Sequence, residues 1–240
     1  MTLSTQTAFP SAVAEIQVGQ TFAAVLRRVY LWMGLGLYLT AAVAYLVAHT
    51  DLILLIVGNR LLFFGLLIGE VVLVIALTAA LNRLSPTAAI GLFLLYAAVN
   101  GATMSVIFLA YTLTDITLAF VTTASLFAAM SFLGYVARLD LSRLGSFLLM
   151  GLIGLVIASV VNLFLASDAL MWITTYAGIG LFLGLTVYDT QRIKVMVTES
   201  MASGDEARLT RLGLLGALRL YLDFVNLFLL ILRLLGRRRR

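Results

Sequence analysis

Residues 177–192 read Ala177-Gly178-Ile179-Gly180-Leu181-Phe182-Leu183-Gly184-Leu185-Thr186-Val187-Tyr188-Asp189-Thr190-Gln191-Arg192. Twelve apolar, small or hydroxylated residues lead into a carboxylate at the end of what reads as a membrane-spanning helix. An ionised carboxylate near a bilayer centre costs on the order of 3 kcal/mol on insertion scales, so such groups generally face the bundle interior and act there. Asp223 and Glu70 lie in two other apolar runs. Together the three make an internal proton or cation site the first functional expectation.

Composition places the whole chain in the same class. Of 240 residues, 62% are hydrophobic and 11% charged, and the mean hydropathy is +1.10. At about 20 apolar residues per spanning helix, the length holds six or seven spans and no sizeable soluble domain. Apolar runs recur near 27–49, 60–82, 86–111, 115–137, 144–166, 169–192 and 214–236. The expectation is an all-α, polytopic bundle of seven transmembrane helices in one domain, 27–236. A polar cytoplasmic segment, 1–26, precedes it, and a basic tail, 237–240, follows. Residues 1–20 lack the charge pattern of a cleaved signal peptide, so the first helix is expected to serve as an uncleaved membrane signal.

Local signals refine this outline. Ser85-Pro86 reads as a helix start, because serine can cap free amides and proline at the first helical position loses no hydrogen bond. Gly180 and Gly184, just before Asp189, form a small-xxx-small pair that would admit a neighbouring helix or simply serve ordinary packing. Residues 195–211 read as a solvated polar connection of mixed charge.

Basic residues set a topology. Arg27, Arg28, Arg83, Arg138, Arg143, Arg192, Lys194, Arg208, Arg211 and Arg219 fall on the N-terminal side, whereas the opposite loops carry only Arg60. The positive-inside rule then puts the N-terminus in the cytoplasm. A seventh full span sends Arg233 and the four terminal arginines outward, against the same rule. A last segment that enters and returns would remove the conflict; so would loops that outvote the tail. Seven helices are the preferred reading, with the side of the C-terminus open. The tail suits anionic headgroups or a solvated helix end, and nucleic acid is not an expected partner.

The chemistry rests on the carboxylates and their neighbours. Arg192, one turn beyond Asp189, is placed to neutralise it. In Leu220-Tyr221-Leu222-Asp223-Phe224-Val225-Asn226, Asn226 shares a face with Asp223, and Arg219 is placed to pair with Asp223 from four residues earlier. If Asp189 and Asp223 instead met at about 4 Å, their repulsion at an effective dielectric near 20 would be about 4 kcal/mol. Such a pair would share one proton as a pH-dependent latch, or offer hard oxygen ligands to calcium when ionised. Glu70 would join them, line the entrance, stay buried as a protonated acid, or be held by Asn100 or Asn162. There is no cysteine and a single histidine, His49, so neither thiol chemistry nor a zinc cluster is expected. Phosphate loops, zinc-helix motifs and nucleophile elbows are missing from the sequence. The chain is not expected to be an enzyme or to carry a resident cofactor.

The runs Tyr188-Asp189-Thr190-Gln191 and Leu220-Tyr221-Leu222-Asp223-Phe224-Val225-Asn226-Leu227-Phe228 resemble signatures of the Bax inhibitor-1 family of membrane proteins, in its bacterial branch. Gly69-Glu70, Asn82-Arg83-Leu84-Ser85-Pro86, Leu95-Tyr96-Ala97 with Asn100-Gly101, and Gly145-Ser146-Phe147 through Asn162 extend the match to about residues 20–236. The resemblance implies seven helices with the last one central, and a passive, pH-sensitive calcium leak in the bacterial inner membrane. Its sensor would be the di-aspartate pair Asp189 and Asp223. Family members often carry a basic latch near the end of the second span, where this chain has Ala80; Arg83, one turn on, is placed either to replace it or, nearer the interface, to act as a topology-setting charge. With an ionic latch on Asp189, acid would favour the leak; simple repulsion within the dyad would favour opening when both groups ionise. The former is the preferred sign, although Ala80 allows a leak with little pH dependence.

Two other classes share features with this sequence. Tyr188-Asp189 also resembles the first motif of intramembrane aspartyl proteases, but their second motif, Gly-x-Gly-Asp, is replaced here by Tyr221-Leu222-Asp223. The other is a non-transporting regulator that binds membrane proteins, such as a membrane-bound protease. A leak requires both aspartates; a binding module would tolerate asparagine at either.

Overall fold

The computed structural model describes residues 9–80, 84–137, 141–202 and 206–236. Among these the chain forms only helices: α1 (Phe9–Ala48), α2 (Leu52–Gly58), α3 (Arg60–Ala80), α4 (Pro86–Met104), α5 (Ile107–Ala110), α6 (Leu113–Val136), α7 (Leu141–Leu165), α8 (Asp168–Ala202) and α9 (Glu206–Leu235). Seven segments are long and apolar enough to cross a membrane, and they correspond to the seven expected runs. Arg83 and the tail 237–240 lie outside the described residues.

Helix boundaries follow the local chemistry. Pro86 opens α4, and Ser85 Oγ accepts from the Ala88 amide at 3.2 Å, as the Ser85-Pro86 pair predicts. Thr112 and Asp115 form a reciprocal capping box at the start of α6, in which each side chain accepts from the other residue's amide. This satisfies two of the donors that a helix start leaves open. Between α7 and α8, Ala166 takes φ 46°, and Asn162 Oδ1 accepts from the Ser167 amide at 3.0 Å. Asn162 therefore braces a turn and is not the partner of Glu70.

The ends of three helices differ from expectation. Helix α1 begins at Phe9, well before the apolar run at 27. The segment 195–211, expected as a polar connection, is helical up to Ala202 and again from Glu206. A continuing helix keeps its backbone hydrogen bonds whether lipid or water surrounds it, so a polar composition does not end it. At 35 residues, α8 is about 50 Å long against a hydrocarbon thickness of about 30 Å. Val25 and Val29 of α1, Ile193 and Val197 of α8, and Leu214 and Ala217 of α9 all belong to the buried core.

Helix α9 occupies the centre. In its spanning window 67% of residues are buried, against 11% for α3 and 6% for α7. It packs against α8, α1, α6 and α4; α3 leans on α4, and α7 on α8. No re-entrant segment is needed, because α9 is one continuous helix. Outward-facing side chains such as Leu61, Phe147 and Phe164 are exposed and apolar, as a lipid-facing surface requires. Helices α3 and α7 do not pack extensively on one another, which leaves a lateral crevice that reaches α9.

Candidate functional site

That crevice holds three carboxylates of the spanning helices. It is a cavity of about 760 Å³ between α3, α7, α8 and α9, and its lining includes Glu70, Asp189, Arg219, Asp223, Asn226 and Arg233. Its outer walls are apolar, among them Val71 and Ile75 of α3 and Val156 and Val160 of α7. All three carboxylates singled out in the sequence thus line one space. Asp189 and Asp223 are buried, with 8% and 4% of their surfaces exposed.

Pairing within the cavity departs from the helical-neighbour expectation. Arg219 Nη1 meets Asp189 Oδ1 at 3.1 Å, so it ties α9 to α8 and does not pair with Asp223 on its own helix. Arg192 donates to the Tyr188 hydroxyl at 2.7 Å and lies over the Tyr188 ring; it is not the close partner of Asp189. The reason is rotational. Asp189 faces α9, and a long guanidinium arm from that helix reaches it inside the bundle. Asp223 Oδ2 is buried without a hydrogen-bond partner among the described residues, an arrangement that is costly for an ionised oxygen.

Glu70 is held from a second direction. Asn100 Nδ2 donates to Glu70 Oε2 at 3.1 Å, one of the partners foreseen for it, while Oε1 is buried without a partner among the described residues. Asn100 Oδ1 accepts from the Tyr221 hydroxyl at 3.1 Å, and the Tyr221 oxygen lies 2.7 Å from Thr40 Oγ1. Thr40 also donates to the Ala97 carbonyl at 2.9 Å. The chain Thr40, Tyr221, Asn100, Glu70 therefore joins α1, α9, α4 and α3, with Tyr221 fully buried. Sequence reasoning missed Thr40 and Tyr221; the only signal was that Tyr221 stands two residues before Asp223. It also missed Arg233, which is exposed at the far end of the cavity with Nη1 3.5 Å from Thr175 Oγ1. Asn226 lines the cavity, but its amide donates to the Leu222 carbonyl at 2.8 Å.

Close helix approach near the dyad comes from an unforeseen glycine. A Cβ on Gly180 would meet nothing within 4 Å, and one on Gly184 would meet only a Leu148 methyl of α7 at 3.0 Å. At Gly134 of α6, by contrast, a Cβ would collide with the Val187 carbonyl oxygen of α8. Thus α6 presses on α8 two residues before Asp189.

Carboxylates are the groups that could exchange a proton or ligate a cation in such a cavity. Among the described residues no group of three His, Cys, Asp or Glu side chains could hold a metal, and calcium normally takes six to eight oxygens. With Asp189 Oδ1 engaged by Arg219, the dyad as arranged does not present two free carboxylates to one ion. A calcium ion here would be cargo that displaces the arginine.

Residues 22–240 match the family model described as Inhibitor of apoptosis-promoting Bax1. The chain is 45% identical over 232 residues to the inner membrane protein YbhL of Escherichia coli K12, covering 96% of this chain and 99% of that protein. It is 41% identical over 215 residues to an uncharacterized protein of Borreliella burgdorferi, covering 89% of this chain and 92% of the relative. An uncharacterized membrane protein of Streptococcus pyogenes serotype M3 is 34% identical over 227 residues, 93% of this chain and 95% of its own length. With matches along nearly its whole length, and seven apolar helices around a central last one, the chain belongs to the Bax inhibitor-1 family of integral membrane proteins.

Proposed function

We propose that this protein is a passive calcium leak of the bacterial inner membrane, closed by an ionic latch between Arg219 and Asp189 and opened by protonation of the di-aspartate site. The observation that carries the reading is the placement of Asp189, Arg219 and Asp223 on one intramembrane cavity, with Asp189 tied to the central helix at 3.1 Å. Protonating Asp189 removes the charge that Arg219 pairs with. The tie between α8 and α9 then weakens, and the cavity is free to widen between Asp189 and Asp223.

In this chain the latch sits on α9. The second-span position Ala80 carries no charge, and Arg219 supplies the cation from the helix that must move. The loop charges orient the N-terminus to the cytoplasm by the positive-inside rule.

The test is calcium entry into liposomes holding purified protein, from pH 5 to 8, for the native chain beside Asp189→Asn and Asp223→Asn. Flux that rises toward acid and changes in both variants supports the leak. Absence of flux at every pH, in protein shown to be folded and inserted, sinks it and moves a regulator of other membrane proteins, such as a membrane-bound protease, to the front.

A further inference from the structure

A second crevice opens on the other side of the bundle, between α1 and α6, which do not pack extensively on one another. Its volume is about 540 Å³, within the roughly 300–1,000 Å³ of ordinary ligand pockets. Tyr30 and Gly34 form one wall, Ala128, Ser131 and Tyr135 the other, and Phe224 of α9 the floor. A Cβ at Gly34 would meet nothing within 4 Å, so the space beside it is open. Everything lining the depth of the crevice is apolar or small except Ser131. That residue is 95% buried by its 5% exposure, and its hydroxyl has no hydrogen-bond partner among the described residues.

Two cations adjoin the lining residues, Lys194 through Tyr135 and Arg27 beside Leu26. Lys194 donates to the Tyr135 carbonyl at 3.1 Å and sits 5.0 Å from the Tyr135 ring centroid, which leaves two ammonium protons for another acceptor. Arg27 is exposed and lies one turn before Tyr30 and two turns before Gly34, on the helix face that borders the crevice. Ser131 stands four residues, about 6 Å, below Tyr135 on α6.

We infer that the α1/α6 crevice is a binding site for one anionic phospholipid from the leaflet on the N-terminal side. Its acyl chain lies along Gly34 and Ala128 toward Phe224, its phosphate meets Lys194 and Arg27, and its ester region lies at the level of Ser131. Charge complementarity names the occupant: an apolar slot alone would accept any chain, whereas cations beside its lining select a negative headgroup. Because Phe224 is the residue after Asp223, the lipid would press on the central helix beside the dyad. The site does not depend on the leak reading.

Native mass spectrometry tests the assignment. Purified protein is offered equal amounts of phosphatidylglycerol and phosphatidylcholine with 16-carbon chains, beside Arg27→Gln/Lys194→Gln, Ala128→Phe and Gly34→Leu. The native protein is expected to keep one phosphatidylglycerol, with roughly a thirtyfold preference from two cations near the headgroup. The double variant should take both lipids equally. Each slot-filling variant should lose the lipid, and Gly34→Leu, at a position where a Cβ meets nothing within 4 Å, decides the matter should Ala128→Phe fail to fold. Glycerol 3-phosphate should not displace the lipid. A preference that survives the double variant, lipid retained in Gly34→Leu, displacement by glycerol 3-phosphate, or no lipid on the native protein would each overturn the inference.

Discussion

Arg219 stands one turn before Asp223 on α9, yet its guanidinium meets Asp189 on α8 at 3.1 Å. The contact joins the central helix to its most closely packed neighbour, and it leaves the second aspartate buried without a partner for Oδ2 among the described residues. Side-chain exposures of 25% for Arg219 and 11% for Asp189 place the pair largely out of water, where removing one partner costs far more than removing both.

Arg219→Met is expected to destabilise the protein by about 3 kcal/mol, because it strands the Asp189 charge. Adding Asp189→Asn should recover much of that loss. Thermal melting of the two single variants and the double variant in detergent gives the coupling; strictly additive effects would show that the 3.1 Å contact carries no energy.

Under the proposed leak, the same pair is expected to set the sign of pH dependence. Acid neutralises Asp189 and so cancels its attraction to Arg219, which remains charged; calcium flux should therefore rise as pH falls from 8 to 5. In Arg219→Met the latch is missing at every pH, and the flux should be higher at neutral pH and nearly flat. Flux that instead falls with acid in the native protein would assign gating to repulsion between ionised aspartates.

Tyr221→Phe removes the hydroxyl shared by Thr40 and Asn100 while keeping the ring that packs edge-on against Phe93 and Tyr96. The expected cost is about 1–2 kcal/mol, from lost hydrogen bonds and a buried Asn100 oxygen left unpaired. Asn100→Leu should cost more, since it also takes the described donor from Glu70. Melting temperatures that rank Asn100→Leu below Tyr221→Phe, and both below native, would agree with the network.

Gly134→Ala should loosen the contact between α6 and α8 at a cost of about 1–3 kcal/mol, as overpacking does, because its Cβ would strike the Val187 carbonyl and lie 3.0 Å from Thr190 Cβ. Gly180→Ala should be close to neutral, its Cβ meeting nothing within 4 Å. Equal stability of the two variants would mean that α6 does not press on α8 at this point.

Much of the fold follows from chain-local physics. A spanning helix must satisfy its own backbone and offer about 20 apolar residues to lipid, so seven runs and the Ser85-Pro86 start are visible in the sequence, as are the three carboxylates that interrupt the runs. The extensions of α1, α8 and α9 beyond the apolar runs were not visible, because hydropathy marks where lipid is and not where a helix stops. Which arginine serves which aspartate was decided only in three dimensions. Spacing along a helix permits Arg192 with Asp189 and Arg219 with Asp223 equally well, and the rotation of α8 against α9 selects Arg219 with Asp189 instead. The same holds for Gly134 over Gly180 and for the crevices beside α3 and α1: helical period assigns a residue to a face, but only the packing of neighbouring helices determines whether that face meets backbone, lipid or an open cavity.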